Sequence, residues 1–423
     1  MNDQPLKIAI VGTGVAGLSA AYILQRQHDV TLFEKNTYAG GHTNTIVIEK
    51  GNDAGTPLDT GFLVLNDRTY PTFHKLLSLL DVPVREVDMS FSYYNEKDGL
   101  QYAGTGLNGI FAQRTNLWNA SFWGMILQLV RFNGRALNDL DSGKLSEMTL
   151  DEFLKENNFS NGFVHHYILP LGSSIWSTSM KDMLDFPATL FVDYLKNQGL
   201  LGFTNRPQWQ RIVGGSQTYV KAILKTFKKR ILMGSPVDEI RRGAEQVTIK
   251  TRDGQTASFD KVVLATHADE ALGLLTDPTE EEQRLLSAWS YQKNHITLHT
   301  DIDVMPPNRR AWASWNYIRE LETTRSEPVS MTYHLNRLQG LKTEKPYFVT
   351  LNRVRPIPEK YILKEIFYTH PTYTREAVRS QKELPSLNGV NKTYFCGSYF
   401  GYGFHEDAVK SAVAVAQCFG MDL

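Results

Sequence analysis

The sequence predicts an α/β fold in which a discontinuous Rossmann-type domain carries an inserted α+β substrate domain. Three observations predict it. A glycine-rich turn, Gly12-Thr13-Gly14-Val15-Ala16-Gly17, follows an apolar strand and opens a helix. Short apolar strands of the same kind return in the middle of the chain, over 262–265, and near its end, over 393–396. Between them lie two long blocks, 70–207 and 285–384, rich in Leu, Phe, Trp and Tyr.

The elements follow in order. Residues 6–11 read as a buried parallel strand, 15–27 as a helix and 30–33 as a second strand, which together make a βαβ unit. The first aromatic block reads as helical stretches. Strands resume over 246–264, with Asp253-Gly254 as a hairpin turn. The second aromatic block reads as irregular. The chain closes with the strand 393–396, a glycine-rich turn and a helix over 408–419. This interleaving divides the chain into a nucleotide-binding domain of 1–69, 208–284 and 385–423 and a substrate domain of 70–207 and 285–384.

Composition bounds the class. The 423 residues suffice for two or three domains, and 42% apolar with 21% charged residues is ordinary for a globular protein. Lys+Arg and Asp+Glu both total 45, a balance that argues against nucleic acid as a partner. Two cysteines, Cys396 and Cys418, are too few for a disulfide scaffold and fit a reducing compartment. No signal-type segment precedes Lys7 and no apolar run is long enough to span a bilayer, so a cytoplasmic location is expected.

Four motifs carry the chemistry. In the first, Gly12 permits the tight turn, Gly14 lets a pyrophosphate approach the backbone, and Gly17 lets helix and strand pack closely. Val15 and Ala16 bring the helix N-terminus to the phosphates. Glu34 ends the second strand at the distance expected for a ribose contact, with Lys35 beside it. The second motif is Gly40-Gly41-His42-Thr43-Asn44-Thr45 with Asp59-Thr60-Gly61-Phe62. The third ends in Val213-Gly214-Gly215-Ser216 and precedes a strand at Ser235-Pro236-Val237. The fourth runs from Phe395 through Gly397, Tyr399, Tyr402, Gly403, Phe404 and His405 to Ala408, with Ser411 further on.

These four motifs resemble the flavin amine oxidase and phytoene desaturase superfamily. The resemblance implies an amine-oxidase-like fold and FAD as cofactor. It places Gly41, His42, Thr43, Gly61 and Phe62 near the diphosphate and ribityl chain, Val237 at the adenine, and Gly397, Gly403, Phe404 and His405 at the flavin. His42 departs from the superfamily's usual arginine and brings a weaker, pH-dependent charge. Tyr402 and Phe404 stand where some amine oxidases carry the cysteine that links flavin covalently, so non-covalent FAD is implied. No second glycine fingerprint marks a nicotinamide site.

Over nearly its whole length the chain resembles a bacterial subgroup, through Leu298-His299-Thr300-Asp301, 311–317 and Thr350-Leu351-Asn352. That subgroup is related to the N-terminal flavin domain of plant cyclopropane fatty-acid synthases and to acyl-chain flavin desaturases. The resemblance implies a lipid substrate and an acyl-chain methyltransferase as partner. The expected reaction is oxidation of a methyl-branched or unsaturated acyl chain by hydride transfer from carbon to flavin. Tyr399, Tyr402 and His405 are the candidates for moving a proton. Two alternatives stand beside this reading: oxidation of a small amine, with Tyr399 and Tyr402 as an aromatic cage, and a non-catalytic flavin-binding partner of a lipid-modifying enzyme.

Other features keep two readings each. Trp312, Trp315 and Tyr317 either line a substrate cavity or pack as a cluster on a sheet. His165-His166 has no further ligand at metal spacing, and Lys293 reads as a solvated lysine. Residues 116–137 carry a narrow polar stripe of Ser121, Gly124, Gln128, Arg131 and Arg135 on an otherwise apolar helix. That pattern fits either peripheral contact with a membrane, at the mouth of a substrate tunnel, or a buried core helix.

Overall fold

Lys7–Val11 and Asp29–Phe33 are short runs rich in branched apolar residues and largely buried, the pattern of parallel strands covered on both faces. In the computed structural model, which describes residues 4–202, 204, 206–227, 230–324 and 329–423, they pair in parallel at the centre of a five-stranded sheet. The strand order is Ile231–Leu232, Asp29–Phe33, Lys7–Val11, Lys261–Leu264, Thr393–Phe395. Every pairing in it is parallel. Strands from the start, middle and end of the chain thus share one sheet.

Two helices cover one of its faces. Val15–Leu24 packs against His405–Gln417, and small residues on both sides (Ala20, Ala21, Ala412, Ala416) let the backbones come close. The first helix ends at Leu24 rather than near residue 27. Arg26 and His28 hydrogen-bond back to Ile23 and Leu24 and turn the chain into the second strand. The last helix starts at His405, three residues before the apolar periodicity, because Asp407 accepts the Phe404 N–H at 3.0 Å and caps it there.

A second, seven-stranded mixed sheet faces this unit. Its order is Ile362–Thr372, Ser290–His299, Phe348–Leu351, Ser330–His334, Trp315–Arg319, Phe91–Asn95, Gln101–Ala103. The block read as irregular therefore supplies five of its strands. Most of these strands are buried on both faces, so the two-residue alternation that marks a strand is lost. The long pair Ser290–His299 and Ile362–Thr372 also joins segments far apart in sequence, with no hairpin signal between them. Helices from the first block lie beside the sheet. The longest, Ala120–Asp141, is capped by the Asn119 side chain, which accepts from Ser121 and Phe122.

The third unit is the three-stranded antiparallel sheet Val237–Arg242, Val247–Thr251, Thr256–Phe259, with the Asp253-Gly254 turn as read from sequence and Gly254 at φ +86°. The strand expected at Ser235-Pro236-Val237 begins only at Val237, because Pro236 has no N–H to pair. Among the described residues no helix is long and apolar enough to cross a membrane.

Candidate functional site

The first glycine turn is built as its spacing requires. Gly12 sits at φ +100°, and a Cβ there would lie 2.6 Å from the Ala265 carbonyl oxygen. A Cβ on Gly17 would come within 2.0 Å of the Gly12 carbonyl oxygen. Gly14 is different: a side chain there would meet no protein atom within 4 Å. It precedes Val15–Leu24, a helix with no side-chain cap and no acid in its first turn. The N–H groups of Val15, Ala16 and Gly17 are therefore left for an anionic ligand. Gly41 closes on this turn, its Cβ direction 3.3 Å from the Gly14 Cα. Glu34 is buried at the end of the second strand, where it accepts from the Thr13 N–H and from the N–H and amide of Asn36. Lys35 is exposed and pairs with Glu270 at 2.6 Å.

Two polar hubs then draw the other motifs together. Asp59 is buried and accepts from the Thr45 hydroxyl (2.6 Å), the Ser216 N–H (2.8 Å) and hydroxyl (2.7 Å), and Gln339 Nε2 (2.6 Å). It thereby joins the second motif to the third and to the end of the short helix Leu335–Leu338, which follows a strand of the seven-stranded sheet. The Thr43 hydroxyl lies 2.5 Å from Tyr219 OH and 3.0 Å from His405 Nε2, which ties the second motif to the closing one. His405 also stacks on Phe62 with centroids 3.6 Å apart. Gly61 is needed beside these contacts, since a Cβ there would press to 2.2 Å on the His42 carbonyl oxygen.

His42 stands at the junction of the two sheets. Its ring lies 4.7 Å from Tyr368, 5.3 Å from His370 and 6.4 Å from His267. His267 stacks on Tyr291 at 4.1 Å, and His370 Nδ1 accepts from Asn294 at 3.2 Å. Burial pushes all of these imidazoles down, helped at His42 by its neighbouring histidines, and it takes His370 to about 4 and His405 to about 3. The cluster is uncharged at neutral pH. His42 Nε2 is buried without a hydrogen-bond partner among the described residues.

The closing turn is held by the segment that follows the strand Ile362–Thr372. Tyr373 OH donates to the Gly401 carbonyl (3.0 Å), and Gln381 Nε2 donates to the carbonyls of Gly401 (2.6 Å) and Tyr399 (3.0 Å). Gly403 is at φ +96°, where a Cβ would lie 2.6 Å from Tyr373 OH. Gly397 exchanges hydrogen bonds with the Ser411 hydroxyl. Phe404 stacks on Tyr194 at 5.1 Å.

The three proton-transfer candidates are not brought together. Tyr399 is buried against Trp289 and Phe400, and its hydroxyl has no hydrogen-bond partner among the described residues. Tyr402 OH pairs with Asp193 and accepts from Asn197 at 3.2 Å. The His405 ring turns into the nucleotide side, among Thr43, Phe62, Phe73 and Tyr219. Tyr399 and Tyr402 thus form no facing pair, because each ring has its own packing partner.

Of the other sequence features, Tyr317 is buried and stacks on Tyr93, Trp315 packs edge-on to Tyr333, and Trp312 Nε1 donates to the Pro306 carbonyl at 2.7 Å. They form packed aromatics rather than one shared wall. His166 Nδ1 lies 2.7 Å from Tyr93 OH, Lys293 is exposed beside Phe367, and no group among the described residues could hold a metal.

Sequence reasoning missed His267, His370, Tyr368 and Asn294. His267 could have been found, for it follows Lys261–Leu264 at the carboxyl end of a parallel strand, where such folds place ligands. The others sit on strands inside the block read as irregular and gave no signal.

These residues fit a dinucleotide: an open backbone cradle at Gly14, an uncapped helix N-terminus, a fixed carboxylate at Glu34 and an unpartnered buried imidazole nitrogen at His42. Comparison with known proteins agrees. Residues 15–330 match the flavin containing amine oxidoreductase family. An L-amino-acid oxidase of Demansia vestigiata is 26% identical over 289 residues, 59% of this chain and 47% of the relative, so the chain spans about half the length of that relative. Among solved structures, a CLA-producing fatty acid isomerase from P. acnes has a TM-score of 0.68 at 16% identity, covering 98% of this chain and 99% of that one. Putrescine oxidase bound to putrescine has a TM-score of 0.69 at 14% identity, with coverage of 98% and 99%. Those two likenesses show the fold. The chain belongs to the flavin-containing amine oxidoreductase family.

Proposed function

We propose that the substrate is an acyl chain of a membrane lipid, oxidised at carbon. The observation that carries this reading is the apolar character of the substrate domain. Tyr93 stacks on Tyr102 and Tyr317 (5.5 Å each), Tyr102 meets Phe122, and Phe111 links Phe122 to the half-exposed Trp123. Aromatic side chains thus run without a break from the sheet to the surface, and they suit a chain that offers no polar handle. The fold likeness to a fatty acid isomerase supports the reading only in showing that the fold admits such a molecule.

Bound FAD supplies the two-electron acceptor. The protein's own residues supply orientation and exclusion of water. Burial, together with nearby Asp193 at Tyr402, holds the Tyr399 and Tyr402 hydroxyls far above their ordinary range, so both stay protonated and neither is a base at neutral pH. His405 is neutral, but its Nε2 is engaged by Thr43.

An amino acid oxidase reading is favoured by the sequence relatives, which include L-amino-acid oxidases. An amino acid carboxylate needs a free cation. On the substrate sheet and its loops, Arg337 pairs with Asp88, Arg353 with Glu320, and Arg355 with Glu96 and Glu320, while Arg319 hydrogen-bonds Tyr93. These four arginines are engaged within the fold, and cations of this sheet and its loops left without a carboxylate among the described residues, such as Lys293, Arg309 and Arg310, are exposed at the surface.

Anaerobic mixing of oxidised holoprotein with a methyl-branched or unsaturated phospholipid tests the proposal. The flavin absorbance should bleach with the lipid and persist with amines, L-amino acids or NAD(P)H. Bleaching by an amine or amino acid and not by lipid would overturn it.

A further inference from the structure

The long helix Ala120–Asp141 buries Phe122, Met125, Phe132 and Ala136, the face its periodicity requires. What remains outside combines polar residues, Ser121, Arg131, Arg135 and Asn138, with large apolar ones. Trp123, Leu127 and Val130, at helical steps of four and three, are exposed, Leu127 to 67%. The preceding turn adds Leu117 and Trp118, the latter 90% exposed, and the short helix Leu107–Ile110 adds Leu107 at 75%. Trp123 Nε1 donates to the Leu117 carbonyl at 3.0 Å and packs on Phe111, so turn and helix form one surface. Apolar groups this large are rarely left together on a surface without a binding role.

Four arginines flank this surface. Arg114 donates to the Phe111 carbonyl and the Asn108 amide oxygen, Arg131 donates to the Asn157 carbonyl, and Arg309 lies over Trp312. Arg310 is exposed beside Arg309, on a turn fixed to Ala112 by Asn308 Nδ2 at 2.7 Å. Among the described residues none of these four guanidiniums meets a carboxylate. Other surface cations do pair with acids: Lys144 with Glu156, Lys155 with Asp151, Arg284 with Glu281 and Glu383. The apolar surface ends where Arg135 meets Asp139.

We propose that this face docks on an anionic lipid bilayer. Indole and leucine side chains on a convex helix, flanked by unneutralised arginines, are the pattern of an interfacial helix, with the apolar groups at the acyl boundary and the guanidiniums on lipid phosphates. A second copy of the chain suits the face poorly. A two-fold contact would set the arginines near their own copies with no carboxylate between them. The docking does not rest on the acyl-chain reading, because it is measured without turnover. A protein that binds vesicles yet is not reduced by lipid keeps the docking face and loses the proposed substrate.

The test is flotation of the holoprotein with vesicles of phosphatidylglycerol and phosphatidylcholine against phosphatidylcholine alone. Binding should be about tenfold or more stronger with the anionic vesicles and should weaken at high salt. The double variants Trp118→Ser/Leu127→Ser and Arg309→Glu/Arg310→Glu should each lose about tenfold or more, with melting temperature and flavin content unchanged. Leu363→Ser, an exposed apolar residue on the edge strand of the substrate sheet, should bind as the parent does. Absence of binding, indifference to anionic lipid, or parental binding by both double variants would overturn the proposal. So would a concentration-dependent dimer that Trp118→Ser/Leu127→Ser abolishes.

Discussion

Removing the Glu406 carboxylate should loosen the nucleotide side more than any surface change. Glu406 is buried in the first turn of the closing helix, yet it serves a different one. Its oxygens accept the Thr72 N–H at 3.0 Å and the Phe73 N–H at 2.9 Å, at the start of Pro71–Leu79, which has no side-chain cap of its own. Two hydrogen bonds to a charged acceptor contribute about 1.5–3 kcal/mol each, and the helix dipole adds up to about 1. Part of this returns when water reaches the freed groups, which leaves about 3–4 kcal/mol for Glu406→Ala. Gln keeps one acceptor oxygen, so Glu406→Gln should cost about half as much. At roughly 2 °C per kcal/mol for a chain of this size, the alanine variant should melt roughly 6–8 °C lower. Circular dichroism melts followed beside visible flavin absorbance give both fold and cofactor release. If Glu406→Ala melts with the parent, or Glu406→Gln melts below Glu406→Ala, the carboxylate does not cap that helix.

Gly14→Val should fold with a near-parental melting temperature and lose flavin, because only the cofactor's path is blocked. Gly17→Ala should destabilise the apoprotein itself, since its Cβ meets a carbonyl oxygen at 2.0 Å. Absorbance ratios and melts separate the two, and flavin retained by Gly14→Val would refute the cradle. Stability should fall as pH drops below 6.5. His299 and His405 are held down to about 3 and His334 and His370 to about 4, so the unfolded chain takes up protons that the fold refuses. Each contributes up to about 1.4 kcal/mol per pH unit in that window. Asp407, raised by burial to about 6, acts in the opposite sense but is outnumbered. Equal urea midpoints at pH 7.5 and 5.5 would contradict this sum. Tyr399→Phe should hold or slightly raise the melting temperature, because the buried hydroxyl has no partner among the described residues, and a hydroxyl left unsatisfied costs about 1–3 kcal/mol. A marked loss of stability would mean that the hydroxyl is bonded after all.

By itself the sequence determined the parts whose rules are local. Gly12, Gly14 and Gly17 between an apolar strand and a helix leave little conformational choice, and their three roles appear in the structure as a tight turn, an open cradle and a close helix crossing. The Asp253-Gly254 hairpin was legible for the same reason: its conformation depends on the two residues themselves. Tertiary structure decided what depends on partners distant along the chain. No spacing announces that Asp59 will gather Thr45, Ser216 and Gln339, since those contacts span up to 280 residues. Nor could any pattern place His42 against His267 and His370, because the strand carrying His370 is paired across the sheet, not within a hairpin. The second aromatic block hid Trp315–Arg319, Ser330–His334 and Phe348–Leu351 because burial on both faces erases alternation. The closing motif named Tyr399, Tyr402 and His405 together, but packing against Trp289, Tyr194 and Phe62 sent their rings in separate directions. The helix 120–141 shows the same division. Its periodicity fixed an amphipathic helix, but only the packed fold decided that Trp123, Leu127 and Val130 stay outside, because the core had room for one face of it.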